Sequence, residues 1–368
     1  MDPRRQYCQN LGCPARGKLE EGNITVHSRK QRRYRCKRCG KTFAETKGTA
    51  LYRLHKPVES FFIVLVLLSH GCPVPAIVAA FGLDERTVAG WLGKAGIHSE
   101  AVHRHLIKDL DLQSVQADEL WVRMVGRKVW MAMAIAVSSR LWLGGGVSPS
   151  RDKGLIRTVA MMVRAVAKSP QVLVLTDGLS AYVQAFQRAW RRPFRTGKRG
   201  RPRLVEEEGL LLGQAVKQYA KRRVVGVVHR AAVGSMGAIE AVLGATGSGS
   251  VINTAYIERF NATMRARLVG LVRRTRCLTR RQELLEAGMW LVGGVYNFCS
   301  PHHSLRVESE GPHKWVERTP AMAAGLTGHI WTMEELMRYQ VPLPEWVTPK
   351  RRGRPPKQPQ APIESLAA

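Results

Sequence analysis

Four of the seven cysteines fall within the first 39 residues, at 8, 13, 36 and 39, and they decide what the N-terminal stretch can become. Residues 1–50 hold too little apolar content to close a core unaided, so two close pairs of thiols point to a metal that supplies the missing folding energy. The pairs, CQNLGC and CKRCG, are separated by 22 residues that contain the strand-like runs ITV at 24–26 and YRC at 34–36. This is the layout of a four-cysteine zinc ribbon, in which two turns each present two thiolates to one structural Zn²⁺. Cys8, Cys13, Cys36 and Cys39 are the expected ligands. The odd total, with Cys72, Cys277 and Cys299 isolated, argues against a disulfide framework.

The chain carries 58 Lys+Arg against 28 Asp+Glu, a formal charge of +30, which calls for a polyanionic partner, nucleic acid first. An anionic membrane competes on charge alone. The longest apolar run, FFIVLVLL at 61–68, is far shorter than the ~20 residues of a spanning helix and reads as a buried core helix. No apolar segment follows the basic residues of MDPRRQYCQN, so no secretory signal is expected and the location is cytoplasmic, with the nucleoid.

Residues 51–105 read as a helical DNA-binding module. Gly82 makes a turn, Asp84 caps a helix beginning at Glu85, and Val88, Trp91 and Leu92 face inward, the pattern of a helix-turn-helix that offers Arg86, Ala89 and Lys94 to a groove. A small helical hairpin packed on its neighbours fits the same pattern. Residues 112–148 then switch to strand character in LQSVQADELWVRMV, KVWMAMAIAV and LWLGGGVS, a three-strand meander. A helix over 152–168, a buried strand VLVLT at 172–176, a helix over 180–190 and a strand VVGVVH at 224–229 follow. Three strands and then alternating helix and strand match an α/β fold of ribonuclease H type: a mixed sheet flanked by helices over 110–310, with 193–222 an insert. Residues 311–345 form a C-terminal segment and 346–368 a basic tail. Two copies of Arg-Gly-Arg-Pro, at 199–202 and 352–355, lie outside the expected cores; Arg199, Arg201, Arg352 and Arg354 suit an A·T minor groove, or phosphate contacts alone.

Three acids stand out. Asp118 lies within a strand, Asp177 ends another, and Glu258 sits on a helix whose stripe is Ile257, Phe260, Met264, Leu268 and Leu271. At about 100° per residue, Glu258, Asn261 and Arg265 lie within roughly 60° of one another along one edge of that stripe. Taken alone, Glu258 is also accounted for as a surface glutamate making local ion pairs. Buried carboxylates need a compensating charge, and two hard divalent ions, Mg²⁺ or Mn²⁺, provide it in two-metal phosphoryl transfer. Arg265, Arg273, Arg274 and Arg276 are placed to grip the DNA backbone. Glu119 adjoins Asp118 and is the alternative ligand; only the direction of each side chain separates them. The pair His302 and His303 suits either a DNA contact or a structural closure of the last helix.

QADELW, VLVLTDGLSAY, INTAYIERFNATMR followed by LVRRTR, VYNFCSPHHSLR and RTPAMAAGLT resemble the signature blocks of DDE transposases of bacterial insertion sequences, in the branch with an N-terminal zinc ribbon and a helix-turn-helix. The resemblance covers residues 5 to 330. It implies that Asp118, Asp177 and Glu258 are the catalytic, metal-holding triad, that Asn261 and Arg265 support the glutamate's helix, and that the enzyme frees 3′ hydroxyls at element ends and joins them to target DNA. It also implies double-stranded DNA as partner, both terminal repeats and target, and a homodimer or larger assembly. The competing expectation is a catalytically inactive, transposase-derived regulator that binds specific DNA.

Overall fold

The computed structural model describes residues 1–195, 197, 200–246, 249–309, 314–344 and 346–348. The chain forms two units, Met1–Lys47 with Pro342–Ala368, and Gly48–Val341. The first is built on β1 (Ile24–Ser28), β2 (Arg33–Cys36) and β3 (Thr42–Ala44), an antiparallel sheet in that order. Its core is small: Ala15, Ile24, Tyr34 and Phe43 close around the cysteines.

The second unit opens with α1 (Val58–Ser69), α2 (Val74–Phe81) and α3 (Glu85–Leu106). Gly82, at φ 59°, ends α2 in the left-handed region, and the Asp84 carboxylate accepts the Arg86 N–H at 2.7 Å to cap α3. Val88 and Trp91 are buried as expected, and Leu92 is half-buried. α3 runs well past the GKAG at which the sequence reading stops, because Ala95, Gly96, Ser99, Val102 and His103 continue a buried stripe. That stripe packs on α8 (Gln282–Phe298), so no separate core ends near 105; α1 and α3 share one core with the sheet.

The sheet has six strands in the order β11-β10-β7-β4-β5-β6. The meander β4 (Ser114–Met124), β5 (Arg127–Ala136) and β6 (Trp142–Ser148) is antiparallel, β7 (Val172–Asp177) and β10 (Leu210–Ala220) add in parallel beside β4, and β11 (Arg223–Val233) closes the edge antiparallel. Alternation decides the layers. Val115, Ala117, Ala132 and Ala134 are small and face α4 (Lys153–Val166) and α5 (Ser180–Ala189), whereas Leu120, Val122, Met131 and Met133 face α7 (Ala255–Arg267) and α8. α6 (Met236–Thr246) covers Leu173, Leu175 and Ala215.

Two expectations change here. Residues 193–222 are not wholly an insert: β8 (Arg191–Phe194) and β9 (Arg203–Glu206) form an outlying hairpin, but β10 is an internal strand whose apolar run LLLGQAV lies between β7 and β11. The helix bearing Glu258 stops at Arg267, with Leu268 extended at φ −109°, ψ 106°; Leu271 reaches the same core from a 3₁₀ turn, which preserves the apolar spacing that suggested a longer helix.

α8 is buried on nearly every side, and it is admitted by glycine. A Cβ on Gly293 would collide with the Trp142 ring, and one on Gly96 of α3 would collide with Ala287. Gly293→Ala should therefore lower unfolding stability by about 1–3 kcal/mol through overpacking. Gly244→Ala on α6, where nothing lies within 4 Å of the added carbon, should be neutral or gain up to about 1 kcal/mol; urea titration of both variants checks this. His103 sits between the Trp142 and Trp290 rings and donates Nε2–H to the Leu143 carbonyl at 3.2 Å, while Nδ1 has no partner among the described residues. Burial, helped by Arg104 and opposed by that carbonyl, holds the ring at about 4. Its folded value is depressed, so the stability it lends is present above about 6.5 and is lost as pH falls toward 4. A loss of about 3 kcal/mol follows over that window. His103→Gln should flatten this limb of a stability–pH profile.

Candidate metal centres and their surroundings

In the first unit the Cys8 and Cys39 sulfurs are 3.7 Å apart and those of Cys13 and Cys36 3.9 Å, and all four lie within 4.8 Å of one another. A tetrahedron of thiolates at about 2.3 Å from one ion has edges of about 3.8 Å. The four cysteines are thus spaced to hold zinc. Burial raises the Cys8 and Cys13 thiols; at Cys39 burial is outweighed by hydrogen bonds from the Lys41 backbone, Asn10 and the neighbouring thiols, which bring it to about 7.

In the second unit β4 and β7 pair in parallel up to Gln116 opposite Leu175. Asp118 and Asp177 each lie two residues further on, so they stand side by side, Asp118 midway along β4 and Asp177 at the carboxyl end of β7, on the face that α7 covers. Glu119 points to the opposite face. There its buried carboxylate accepts the Tyr182 hydroxyl at 2.6 Å and pairs with Arg151, whose guanidinium also reaches Asp177 at 3.3 Å. The carboxylates of Asp118, Glu119 and Asp177 approach within 4.8 Å.

Glu258 is not in that group. Its carboxylate, half exposed, pairs with Lys217 Nζ at 2.8 Å and accepts the Thr254 hydroxyl at 3.1 Å. It remains close enough to act on Asp118: burial first, then the charges of Glu119, Asp177 and Glu258, push the Asp118 carboxyl up to about 7. Burial also raises Glu119, against the pull of Tyr182 and Arg151. One arginine among three carboxylates leaves a surplus of negative charge. Like charges about 4 Å apart repel by about 4 kcal/mol even at an effective dielectric of 20. Such a cluster binds a proton or a cation.

Asn261 donates Nδ2–H to Asp118 at 2.8 Å, while its buried Oδ1 has no partner among the described residues. Gln116 fixes the helix that carries it: Oε1 accepts the N–H groups of Tyr256 and Ile257 at 2.9 and 3.0 Å in the first turn of α7, and Nε2 reaches Asn253. Gln214 on β10 donates to the Asp177 carbonyl at 2.7 Å and steadies the end of β7.

Sequence reasoning did not single out Gln116, Arg151, Tyr182, Gln214 or Lys217. The signal available was weak: polar residues interrupting apolar strand runs at 116 and 214. Of the expected DNA contacts, Arg86 is exposed at the start of α3, and Arg273, Arg274 and Arg276 are exposed in the loop beyond α7. Arg265 is half-buried near Asp118 and Arg273. Lys94 is a correction, since its ammonium turns inward to donate to the Tyr52 carbonyl at 2.6 Å and is not presented to a groove. Arg201 is exposed between β8 and β9; Arg199, Arg352 and Arg354 lie outside the described residues. Among the described residues, no helix is long and apolar enough to cross a membrane.

No protein-family model matches this sequence, and no curated protein is similar to it at a significant level. If zinc completes the small core, a chelator should unfold the first unit and release one Zn²⁺ per chain, while the far larger second unit keeps its circular-dichroism signal. Cys36→Ser should reproduce the effect; metal analysis by mass spectrometry together with limited proteolysis provides the check.

Proposed function

We propose that this chain is a DDE-type DNA transposase that cleaves insertion-sequence ends and transfers the freed strands into target DNA. The observation that carries the reading is the meeting of Asp118, midway along β4, with Asp177, at the end of the parallel strand β7, beneath a helix that bears Glu258. A three-strand meander with two further strands added in parallel beside its first supports a ribonuclease H-like core. The turn at Gly82 between α2 and the capped α3 supports a helix-turn-helix, with Arg86 at the end that would meet a groove. The cysteine spacing supports a zinc ribbon.

The donor set fits hard divalent cations. It consists of carboxylate oxygens, an orphaned amide oxygen on Asn261 and surplus negative charge, with no soft ligand among them. Asp118, Asp177 and Glu258 would hold Mg²⁺ or Mn²⁺, expected as a pair, which would supply activation of the attacking oxygen and neutralisation of the leaving one. The chain's own residues do the rest. Asn261 orients Asp118, Gln116 fixes α7 over β4, and Arg151 keeps Glu119 and Asp177 from repelling each other out of position. Lys217 and Arg265 bring positive charge to the rim, where phosphodiester oxygens would lie. The +30 charge supports duplex DNA as the partner, and joining two element ends calls for at least two copies of the chain.

The test is divalent-dependent nicking of a labelled duplex carrying the DNA that flanks this gene. Wild type should release a 3′ hydroxyl at one fixed position. Asp177→Asn and Glu258→Gln should bind the duplex as wild type does and cut at least 10²-fold more slowly, given the several kcal/mol that metal-assisted charge stabilisation supplies. Equal binding by all three proteins with no cutting under Mg²⁺ or Mn²⁺ would replace the enzyme with a DNA-binding regulator.

A further inference from the structure

α7 has a second working edge. Arg259, Thr263 and Arg267 project roughly 100 to 180° around the helix from Glu258. They face a cavity of about 430 Å³ closed by the β5–β6 turn and the segment that follows α8. Arg140, Arg259, Arg267 and His302 converge on it, Tyr256 and Tyr296 form its aromatic walls, and no carboxylate lines it among the described residues. We propose that this cavity is a binding site for a nucleotide, its phosphate held by the arginines and its base or sugar laid against the tyrosines.

Three observations lead there independently. Arg140 occupies the left-handed region at φ 58°, a conformation unfavourable for a residue with a Cβ, and its guanidinium lies 3.8 Å from the centroid of the Tyr256 ring. That placement aims a fixed cation into the cavity. Arg267 is half-buried and held from the side, one N–H donating to Ser300 Oγ at 3.0 Å. His302 stands edge-on to Tyr296, with its Nδ1 2.9 Å from the Ser304 hydroxyl; its ring is held below the usual range by burial and then by Arg140 and Arg259. Those charges therefore act on one shared space. Mutually repelling cations around a cavity without an acid form a ready anion site. Guanidinium forks match phosphate oxygens in pairs, and the aromatic walls favour a nucleoside phosphate over a bare anion. The cavity is also large enough for one nucleotide.

The nucleotide can come from a DNA strand or from the free pool, and the inference does not rest on the acidic site. Its test uses no cleavage. Equilibrium dialysis of labelled deoxyadenosine monophosphate against the full-length protein, at fixed ionic strength, should give one saturable site that deoxyadenosine does not compete for. Arg140→Gln and Arg259→Gln should each weaken binding at least tenfold. Arg157→Gln, which removes the same charge from the exposed side of α4, should leave it unchanged. Absence of saturable binding to the wild type, or equal weakening by all three substitutions, overturns the site. Stoichiometric displacement of the bound nucleotide by a duplex supports filling from DNA, whereas simultaneous binding of both supports a free nucleotide; either upholds the cavity as a nucleotide site.

Discussion

The parallel pairing of β4 with β7 is the constraint on which the candidate acidic site depends. Parallel strands need a covered crossover, and here α4 lies in the connection between the meander and β7, its Leu155, Ile156, Val159, Ala160 and Val163 buried beneath the sheet. Once that register is set, Asp118 and Asp177 have no freedom to separate: each follows the last paired residue by two. The electrostatic strain of the cluster is thus imposed by backbone hydrogen bonds and by burial of valines and leucines, interactions that far outnumber the three charges they force together.

The compensation is layered by face. Below the sheet, Arg151 and Tyr182 satisfy Glu119, which makes that acid part of the scaffold and leaves its charge largely spoken for. Above it, Asp118 is met by neutral donors, the Asn261 amide and the Glu119 backbone N–H. Burial first, then the charges of Glu119, Asp177 and Glu258, drive Asp118 up to about 7, and neutral donors offset them less than a cation would, which leaves the upper face with capacity for one. Lys217 reaches the same face from β10, two residues beyond Ala215, which pairs with Asp177, and it engages Glu258.

Much of this was legible in the sequence, and the division follows the range of the interactions. The cysteine quartet, the meander, the cap at Asp84 and the turn at Gly82 are local patterns, and they appear where the periodicity and turn chemistry put them. Asp118 and Asp177 were legible as acids in apolar strands. Lys217, Gln116 and Arg151 were not, because each acquires its meaning from a partner 41, 140 and 26 residues away respectively. The length of α3 was missed because its second half is specified by α8 rather than by its own polar sequence. The inward turn of Lys94 was missed for a similar reason: at helical spacing it reads as a groove-facing cation, and only the Tyr52 carbonyl draws it back.

α7 carries a candidate site along each of two edges of one short helix. Its buried positions are few, Ile257, Phe260, Asn261 and Met264, so packing alone anchors it weakly. The anchoring comes instead from polar contacts at both ends: Gln116 caps the first turn, and Arg267 bonds Ser300 near the last. Fixed at its ends, the helix carries Glu258, Asn261 and Arg265 along one edge and Arg259, Thr263 and Arg267 along the other, with Asn261 and Arg267 also serving to hold it in place. A shift of the helix that altered the cavity beside Arg267 would also move Asn261 against Asp118, because both side chains ride on the same thirteen-residue element. The two edges are mechanically one piece.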